Sequence, residues 1–508
     1  MIARHARTDL AGREGSRRGF VLPVVLAVLV ILTLAVYQLA ERTTTQRSIS
    51  RSLVERKKAD LAARSAADIV LALAADPLFG PAALDDGATF DLPDGTRVTL
   101  LRIATDGSGP QPGVASEAAK LNVNLLVEGF GIDGEQLAVF VGDTDAGTAD
   151  LVVDMIDSDA TPSALGDESG LSGMPLRNRP LDTLDDLLLV PGITAAQVYG
   201  EDANRNGLLD ANEDDGDESP PLDNADGVLD FGWQRLLTTQ LRESNVQPDG
   251  SPKVNLNADD LTEIQAGLEA TGMFTAEQIE FILAARTDGL GSGVTGTGMQ
   301  EIEGADGPGG GGTGGAGGAG GADGAAGGRS GGPSDDPADE TAATPQFRLQ
   351  TIGSLLNPLD SGGASPFADD YPSLGNLYLH AALSDVETLP GRLDLNAVDT
   401  DLLGRLLEDE ALASTITQRR DRLSLVDLLI DGVMTPADFD GIERVATVSG
   451  QTFRFQAVGF RPNGPAVRYE FLIDAAQPTL PRIIEQRDLS ELGLAIDRSV
   501  FDPDFVAE

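Results

Sequence analysis

The longest hydrophobic run lies near the start of the chain, where Phe20 to Ala40 (FVLPVVLAVLVILTLAVYQLA) carries no charged residue. As a helix this run covers roughly 30 Å, the thickness of the hydrocarbon core of a bilayer. No glycine occurs between Gly19 and Gly80 and no proline between Pro23 and Pro77. Phe20 to Asp76 therefore reads as one helix roughly 85 Å long. Pro23 falls in its first turn, where a missing N–H costs least. A secretory signal peptide would have a shorter apolar region and end at a small-residue cleavage site. Tyr37-Gln38-Leu39-Ala40-Glu41 offers none, which leaves an uncleaved single-pass anchor as the plain alternative. Arginines at 4, 7, 13, 17 and 18 precede the span, and Arg42, Arg47, Arg51, Arg56, Lys57 and Lys58 follow it, so flanking charge does not fix its orientation.

Beyond the helix the period changes. Ala88 to Ile103 (ATFDLPDGTRVTLLRI) reads as a hairpin turning at Asp94-Gly95, and Lys120 to Leu125 as a third short strand. From about 150 to 288 the pattern is helical. Thr183 to Gly192 opens on a capping box, Thr183 and Asp186, and stops at Pro-Gly; Ser424 to Gly432 repeats that spacing. Lys253 to Asp260 (KVNLNADD) matches Arg392 to Asp399 (RLDLNAVD), each an alternating strand leading into a capped helix, and Ile282 to Arg286 parallels Ile416 to Arg420. These matches predict two related helical units. Between them Gly304 to Gly332 holds 17 glycines in 29 residues, too little apolar surface to pack, which predicts a disordered linker. Strands return at Thr452–Val458, Ala466–Asp474 and Arg482–Gln486. The predicted class is α+β: a long N-terminal transmembrane helix, an α/β sheet domain, and a large, mainly helical insertion.

Charge narrows the function. The 508 residues include 81 acidic and 36 basic side chains, a net charge of −45. Phosphate neutralisation needs clustered Lys and Arg, so this balance argues against nucleic acid as a partner. Leu187 to Thr194 looks like a helix-hairpin-helix turn, but Asp182, Asp185, Asp186 and Glu201 around it would repel phosphate. The imbalance is also uneven, with 11 basic and 4 acidic residues in the first 58 positions and 25 against 77 in the rest. With no cysteine and only His5 and His380, thiolate metal sites, disulfides and thiol nucleophiles are excluded, and a Ser-His-Asp triad would rest on His380 alone.

A short basic leader ending Arg18-Gly19, then Phe20 and an apolar stretch running into an unbroken helix, resembles the class III signal of type IV pilins and type II secretion pseudopilins. The resemblance implies cleavage between Gly19 and Phe20 by a prepilin peptidase. Most members carry a glutamate at the fifth mature position; Val24 stands there, as in the large K-type minor pseudopilins (GspK), which the sheet–helical–sheet order is also similar to. It implies a non-enzymatic tip subunit of a periplasmic pseudopilus that exports folded proteins. Such a subunit is held in the inner membrane as a single-pass protein, its body in the periplasm, with I-type and J-type minor pseudopilins and other secretion-system components as partners. On this reading the chain divides into a leader (1–19), the transmembrane (20–40) and periplasmic (41–76) parts of the helix, and first pilin-like strands (77–149). A first helical unit (150–288), linker (289–345), second helical unit (346–450) and C-terminal strands (451–508) complete it. The competing reading is a membrane-anchored, calcium-dependent adhesion or ligand-binding protein with a pilin-type signal.

The sharpest chemical motif is Asp202-Ala203-Asn204-Arg205-Asn206-Gly207-Leu208-Leu209-Asp210-Ala211-Asn212-Glu213, which satisfies D-x-[DN]-x-[DN]-G-x5-E. Calcium takes six to eight oxygens, and this spacing offers Asp202, Asn204, Asn206, the Leu208 carbonyl, Asp210 and Glu213, with Gly207 at the sharp turn. Pro220-Pro221 prevents an exiting EF-hand helix, so an isolated calcium loop is expected. Asp223 to Asp230 repeats the Asp-Gly-apolar-apolar-Asp shape but places Leu222 at the first ligand position. Its candidate ligands are Asp215, Asp217, Asp223, Asp226 and Asp230. A glycosidase-type acid/base pair is disfavoured because the loop lacks aromatic sugar platforms.

Overall fold

The computed structural model describes residues 21–74, 84, 88–104, 108–142, 144–168, 178–216, 218–291, 299–301, 346–477, 480–498 and 502. The leader with Gly19 and Phe20, the stretch 302–345 and Asp217 lie outside these residues.

Val21–Ala74 is a single 54-residue helix, α1. Its apolar first part stands exposed, whereas Ala59, Ala62, Ala63, Ala66, Ala67, Val70 and Ala74 are buried. That spacing of three and four places small side chains on one face, so a sheet can approach the helix backbone closely.

Thr89–Asp91 (β1) and Arg97–Ile103 (β2) form the expected hairpin, with Thr89 opposite Thr99 and Gly95 at φ +80° in its turn. Pro110–Pro112 (β3) extends β2, and Ala115–Ser116 (β4) completes the first contribution to the sheet. The strand expected over Lys120–Leu125 is corrected: only Leu121–Asn122 (β5) is extended, it leaves the sheet, and a wide π-turn comes next at Leu125–Gly129. The apparent alternation misled because Leu121, Asn122 and Val123 are all buried.

From β5 onward the chain forms three related units. The first holds β5, Gly134–Val141 (α2), Ala146–Ile156 (α3), a 3-10 turn at Leu184–Leu189, Ala195–Tyr199 (α4) and Leu237–Thr238 (β6). After Arg242–Ser244 (β7), the second holds Val254–Asn255 (β8), Leu261–Thr271 (α5), Ala276–Asp288 (α6), Met299–Glu301 (β9) paired with Phe347–Leu349 (β10), a 3-10 turn at Gly353–Leu356, Tyr371–His380 (α7) and Ala381–Ala382 (β11). Thr388–Pro390 (β12) then pairs with β7. The third holds Leu393–Asp394 (β13), Thr400–Leu407 (α8), Glu410–Thr417 (α9), Asp427–Ile430 (α10), Pro436–Val445 (α11) and Ala446–Thr447 (β14). In every unit the opening strand pairs in parallel with the closing one: β5 with β6, β8 with β11, β13 with β14.

One asparagine clamps each unit. Asn124 donates to the carbonyls of Leu181 (3.0 Å) and Thr239 (3.2 Å) and accepts from the Leu181 amide (2.7 Å). Asn257 does the same with Leu349 O (2.8 Å), Leu383 O (3.2 Å) and Leu349 N (2.9 Å). Asn396 repeats it with Arg422 O (2.9 Å), Val448 O (2.9 Å) and Arg422 N (3.1 Å). Each side chain satisfies buried backbone groups of two distant segments, which neither helix nor ladder could reach.

The expected partition is thus corrected. Among the described residues there are three units, the first starting at Lys120, and the glycine-rich stretch falls in sequence between β9 and β10. The three sequence matches came from different pairs of copies: Thr183 with Ser424 joins the first and third, whereas Lys253 with Arg392 and Ile282–Arg286 with Ile416–Arg420 join the second and third. Within the predicted linker, Gly291 N bonds Pro358 O (2.8 Å) and β9 pairs with β10, so its first residues belong to the packed unit.

The chain then returns to the sheet with Thr452–Phe460 (β15), Ala466–Asp474 (β16) and Arg482–Asp488 (β17), giving the order β1-β2-β15-β16-β17. β15 is antiparallel to both β2 and β16. The helical units are therefore an insertion between β4 and β15. One sheet face, with Val98, Leu100, Phe455, Ala457, Tyr469 and Phe471, packs on the alanine face of α1.

Candidate functional site

The other face of β15 and β16 presents Gln456, Arg468 and Glu470, which are buried, and Arg454, which is partly exposed. Arg454 makes two bonds to Glu117 (2.9 and 3.0 Å) and one to Glu470 (3.2 Å), while Lys120 also reaches Glu117 (3.0 Å). Burial acts to raise the Glu117 carboxyl, but Arg454 and Lys120 outweigh it and hold it at about 2.

The acidic loop 202–213 sits on this charged face. Arg205 donates to Glu470 (3.0 Å), Gln456 to the Arg205 carbonyl (2.8 Å) and Arg468 to the Asn204 carbonyl (2.6 Å). Arg468 is fully buried, which brings its pKa down to about 10. Gly207, at φ +68°, lies so near Ile103 that a Cβ there would stand 2.5 Å from its methyl.

Within the loop Asn204, Asn206 and Asp210 meet side chain to side chain, while Asp202 and Glu213 accept from loop amides. Asp202 accepts from the amides of Asn206 and Gly207 (both 2.9 Å), and Leu208 N donates to Asn206 Oδ1 (2.6 Å). Asn204 and Asn206 both donate to Asp210 Oδ2 (2.5 and 2.9 Å). Glu213, 1% exposed, accepts from Ala203 N (2.9 Å) and Asp210 N (3.1 Å). Burial raises both Asp202 and Glu213. Asn204 Oδ1 is buried without a hydrogen-bond partner. An oxygen-rich cluster with an orphaned acceptor at the third ligand position fits a hard cation.

The second loop repeats this hydrogen-bond geometry with residues that sequence spacing missed. Gly227 N donates to Asp214 Oδ1 (2.9 Å) as Gly207 N does to Asp202; Val228 N donates to Asp226 (2.8 Å) as Leu208 N does to Asn206. Asp230 N donates to Glu201 Oε1 (2.9 Å) as Asp210 N does to Glu213. Ala225 and Gly227 have φ of +51° and +76°, matching Arg205 (+57°) and Gly207 (+68°). Asp214 thus takes the position where the sequence has Leu222, and Glu201 takes the last. The adjacent pairs Glu201-Asp202 and Glu213-Asp214 each give one residue to each loop, so the loops interlock. Asp226 and Asp230 stand at the positions that match Asn206 and Asp210 of the first loop. Asp215 instead accepts from Ser219, and Asp223 from the amides of Asp215, Gly216 and Ala225, so both build the turn. Burial, followed by repulsion from Asp230, Asp223 and Asp226, raises Glu201.

Among the described residues, α1 is the one helix long and apolar enough to cross a membrane. The fold and its loops define a class: a sheet clasping the far half of a long apolar helix, with an inserted helical domain that seats paired acidic loops on the opposite sheet face. The chain is similar to a chain in the crystal structure of the GspK-GspI-GspJ complex of the type 2 secretion system of enterotoxigenic Escherichia coli. The TM-score is 0.35 and the identity 11%, covering 88% of this chain and 99% of that chain. No family model matches the sequence, and no curated protein matches it.

Proposed function

We propose that the chain is a K-type minor pseudopilin, a non-enzymatic subunit that caps the tip of a type II secretion pseudopilus and is required for protein export. The observation that carries this is α1: an unbroken 54-residue helix, apolar where it would lie in the inner membrane and clamped farther on to a sheet made from both ends of the body. Arg18-Gly19-Phe20 and Val24 supply the pilin-type signal without its usual glutamate, a lack that suits a subunit with no neighbour above it. The bulk of the three helical units would bar further addition at that end. I-type and J-type subunits would pack along α1. Deleting the gene is expected to abolish export of folded substrates, and the membrane-bound chain is expected to begin at Phe20 by mass spectrometry. Normal export, or an intact leader in cells with active prepilin peptidase, overturns the proposal.

The interlocked loops are assigned to calcium. Asp202, Asn204, Asn206, the Leu208 carbonyl, Asp210 and Glu213 would hold one ion; Asp214, Asn224, Asp226, the Val228 carbonyl, Asp230 and Glu201 would hold the second. Bound ions would offset the packed carboxylates and fix the loops on the sheet. Calcium at about a hundred times its dissociation constant adds ~2.7 kcal/mol to stability per site. Millimolar calcium is therefore expected to raise the melting temperature of the full chain in detergent, and EGTA to reverse the rise. Asp202→Asn and Asp214→Asn should each lower the bound calcium by one equivalent; unchanged binding in both rejects the assignment.

A further inference from the structure

A separate group of carboxylates lies at the C-terminal end of α3. One oxygen each of Asp154, Asp157 and Glu168 falls within 4.8 Å of the others. Asp150, one turn earlier on the same helix, shows what a purely structural aspartate does here: it accepts from Gly134 N (2.9 Å) and Leu165 N (2.8 Å), using both oxygens. Asp154 is 0% exposed yet uses only Oδ1, on Ser163 N (2.8 Å). Its Oδ2, together with Asp157 Oδ1 and Glu168 Oε1, is buried and accepts no hydrogen bond. The other Glu168 oxygen accepts from Asn178 (3.0 Å), which ties that side chain into the group. Gly166 packs against Asp154, where a Cβ would stand 1.9 Å from Oδ2, so a larger residue there would require the carboxylate to shift.

Buried acceptors are satisfied almost without exception, and three carboxylates this close, each with an orphaned oxygen, repel one another. Among the described residues no lysine or arginine forms an ion pair with any of the three. Burial, followed by repulsion from Asp159, Glu168 and Asp154, pushes Asp157 up to about 6. An all-oxygen, anionic donor set selects hard cations over the softer transition metals. We propose that Asp154, Asp157 and Glu168 form a divalent cation site, taken by calcium, that fastens the 157–168 loop to the end of α3. This site shares no residue with the interlocked loops and does not depend on their assignment.

The test uses the full chain in detergent, with bound calcium counted by equilibrium dialysis against calcium chloride. The double variant Asp157→Asn, Glu168→Gln is expected to bind one equivalent fewer than the parent. The same loss should appear in a background carrying Asp202→Asn and Asp214→Asn, where the parent retains this ion. In EGTA the double variant should melt at or above the parent, because the repulsion is gone. If the double variant does not fold, Glu168→Gln alone serves and should weaken binding of that equivalent at least tenfold. Undiminished stoichiometry and affinity in the folded variant overturn the site, whatever the interlocked loops bind.

Discussion

Replacing Arg454 with alanine is expected to cost about 1.5–3 kcal/mol of unfolding free energy, because it removes charge-assisted hydrogen bonds from two buried carboxylates. The change would leave Glu117, 2% exposed, with Lys120 alone, and Glu470 with Arg205 alone. Lysine at this position should rescue little, since it cannot make the two parallel bonds to Glu117. The effect should carry a pH signature. Glu117 is held at about 2, below its ordinary value of 4.5. A lowered carboxylate contributes stability that is present above the unfolded pKa and lost as pH falls through the folded one. The gap between wild type and Arg454→Ala should therefore be widest above about pH 4.5 and narrow between about 4.5 and 2, as read from denaturant midpoints. A gap independent of pH across that window would mean that the ion pair is not its source. Because Glu470 also holds Arg205 of the first acidic loop, weaker calcium binding should accompany the loss.

Gly459→Val is expected to be the other large lesion. A Cβ at Gly459 would stand 2.2 Å from Ala59 O and 2.4 Å from Ala63 N. Those atoms are helix backbone and cannot swing aside, so α1 must lift from β15 and surrender part of the face formed by Ala59, Ala63, Ala66 and Val70. Overpacking of this kind costs typically 1–3 kcal/mol, and rigid backbone on the opposing side places the variant at about 3 kcal/mol. Proteolysis in the 59–74 segment should accelerate while the helical units, which pack as a separate core, stay protected. Equal protection of wild type and variant would show that the contact yields more easily than its geometry implies.

The elements that local chemistry specifies were legible in the sequence. α1 follows from an interval without glycine or proline, the β1–β2 and β15–β16 hairpins from Asp-Gly and Pro-Asn-Gly turns, and the first acidic loop from ligand spacing within twelve residues. Repetition was legible too, as Lys-Val-Asn-Leu-Asn and Arg-Leu-Asp-Leu-Asn. Its count was not, because Lys120-Leu121-Asn122-Val123-Asn124 lies next to strands and its unit is interrupted by the acidic loops, so it read as part of the sheet.

What the tertiary structure alone decided is which distant groups meet. Nothing in the sequence near Asn124 names Leu181 and Thr239 as its partners, and Leu222 masks a loop whose first position is taken by Asp214, eight positions upstream. Glu201 closes that second loop from outside it, and Asp154, Asp157 and Glu168 meet only once the 157–168 loop folds back on α3. The physical reason is common to all of these. A turn, a cap or a helix is satisfied by neighbours along the chain and leaves a spacing in the sequence, whereas a buried amide or carboxylate is satisfied by whatever the packed core brings within 3 Å. The sequence by itself determined a long apolar helix, a sheet made from both ends of the body and an acidic, metal-spaced loop. Folding determined that this loop has an interlocked twin seated on the charged face of the sheet.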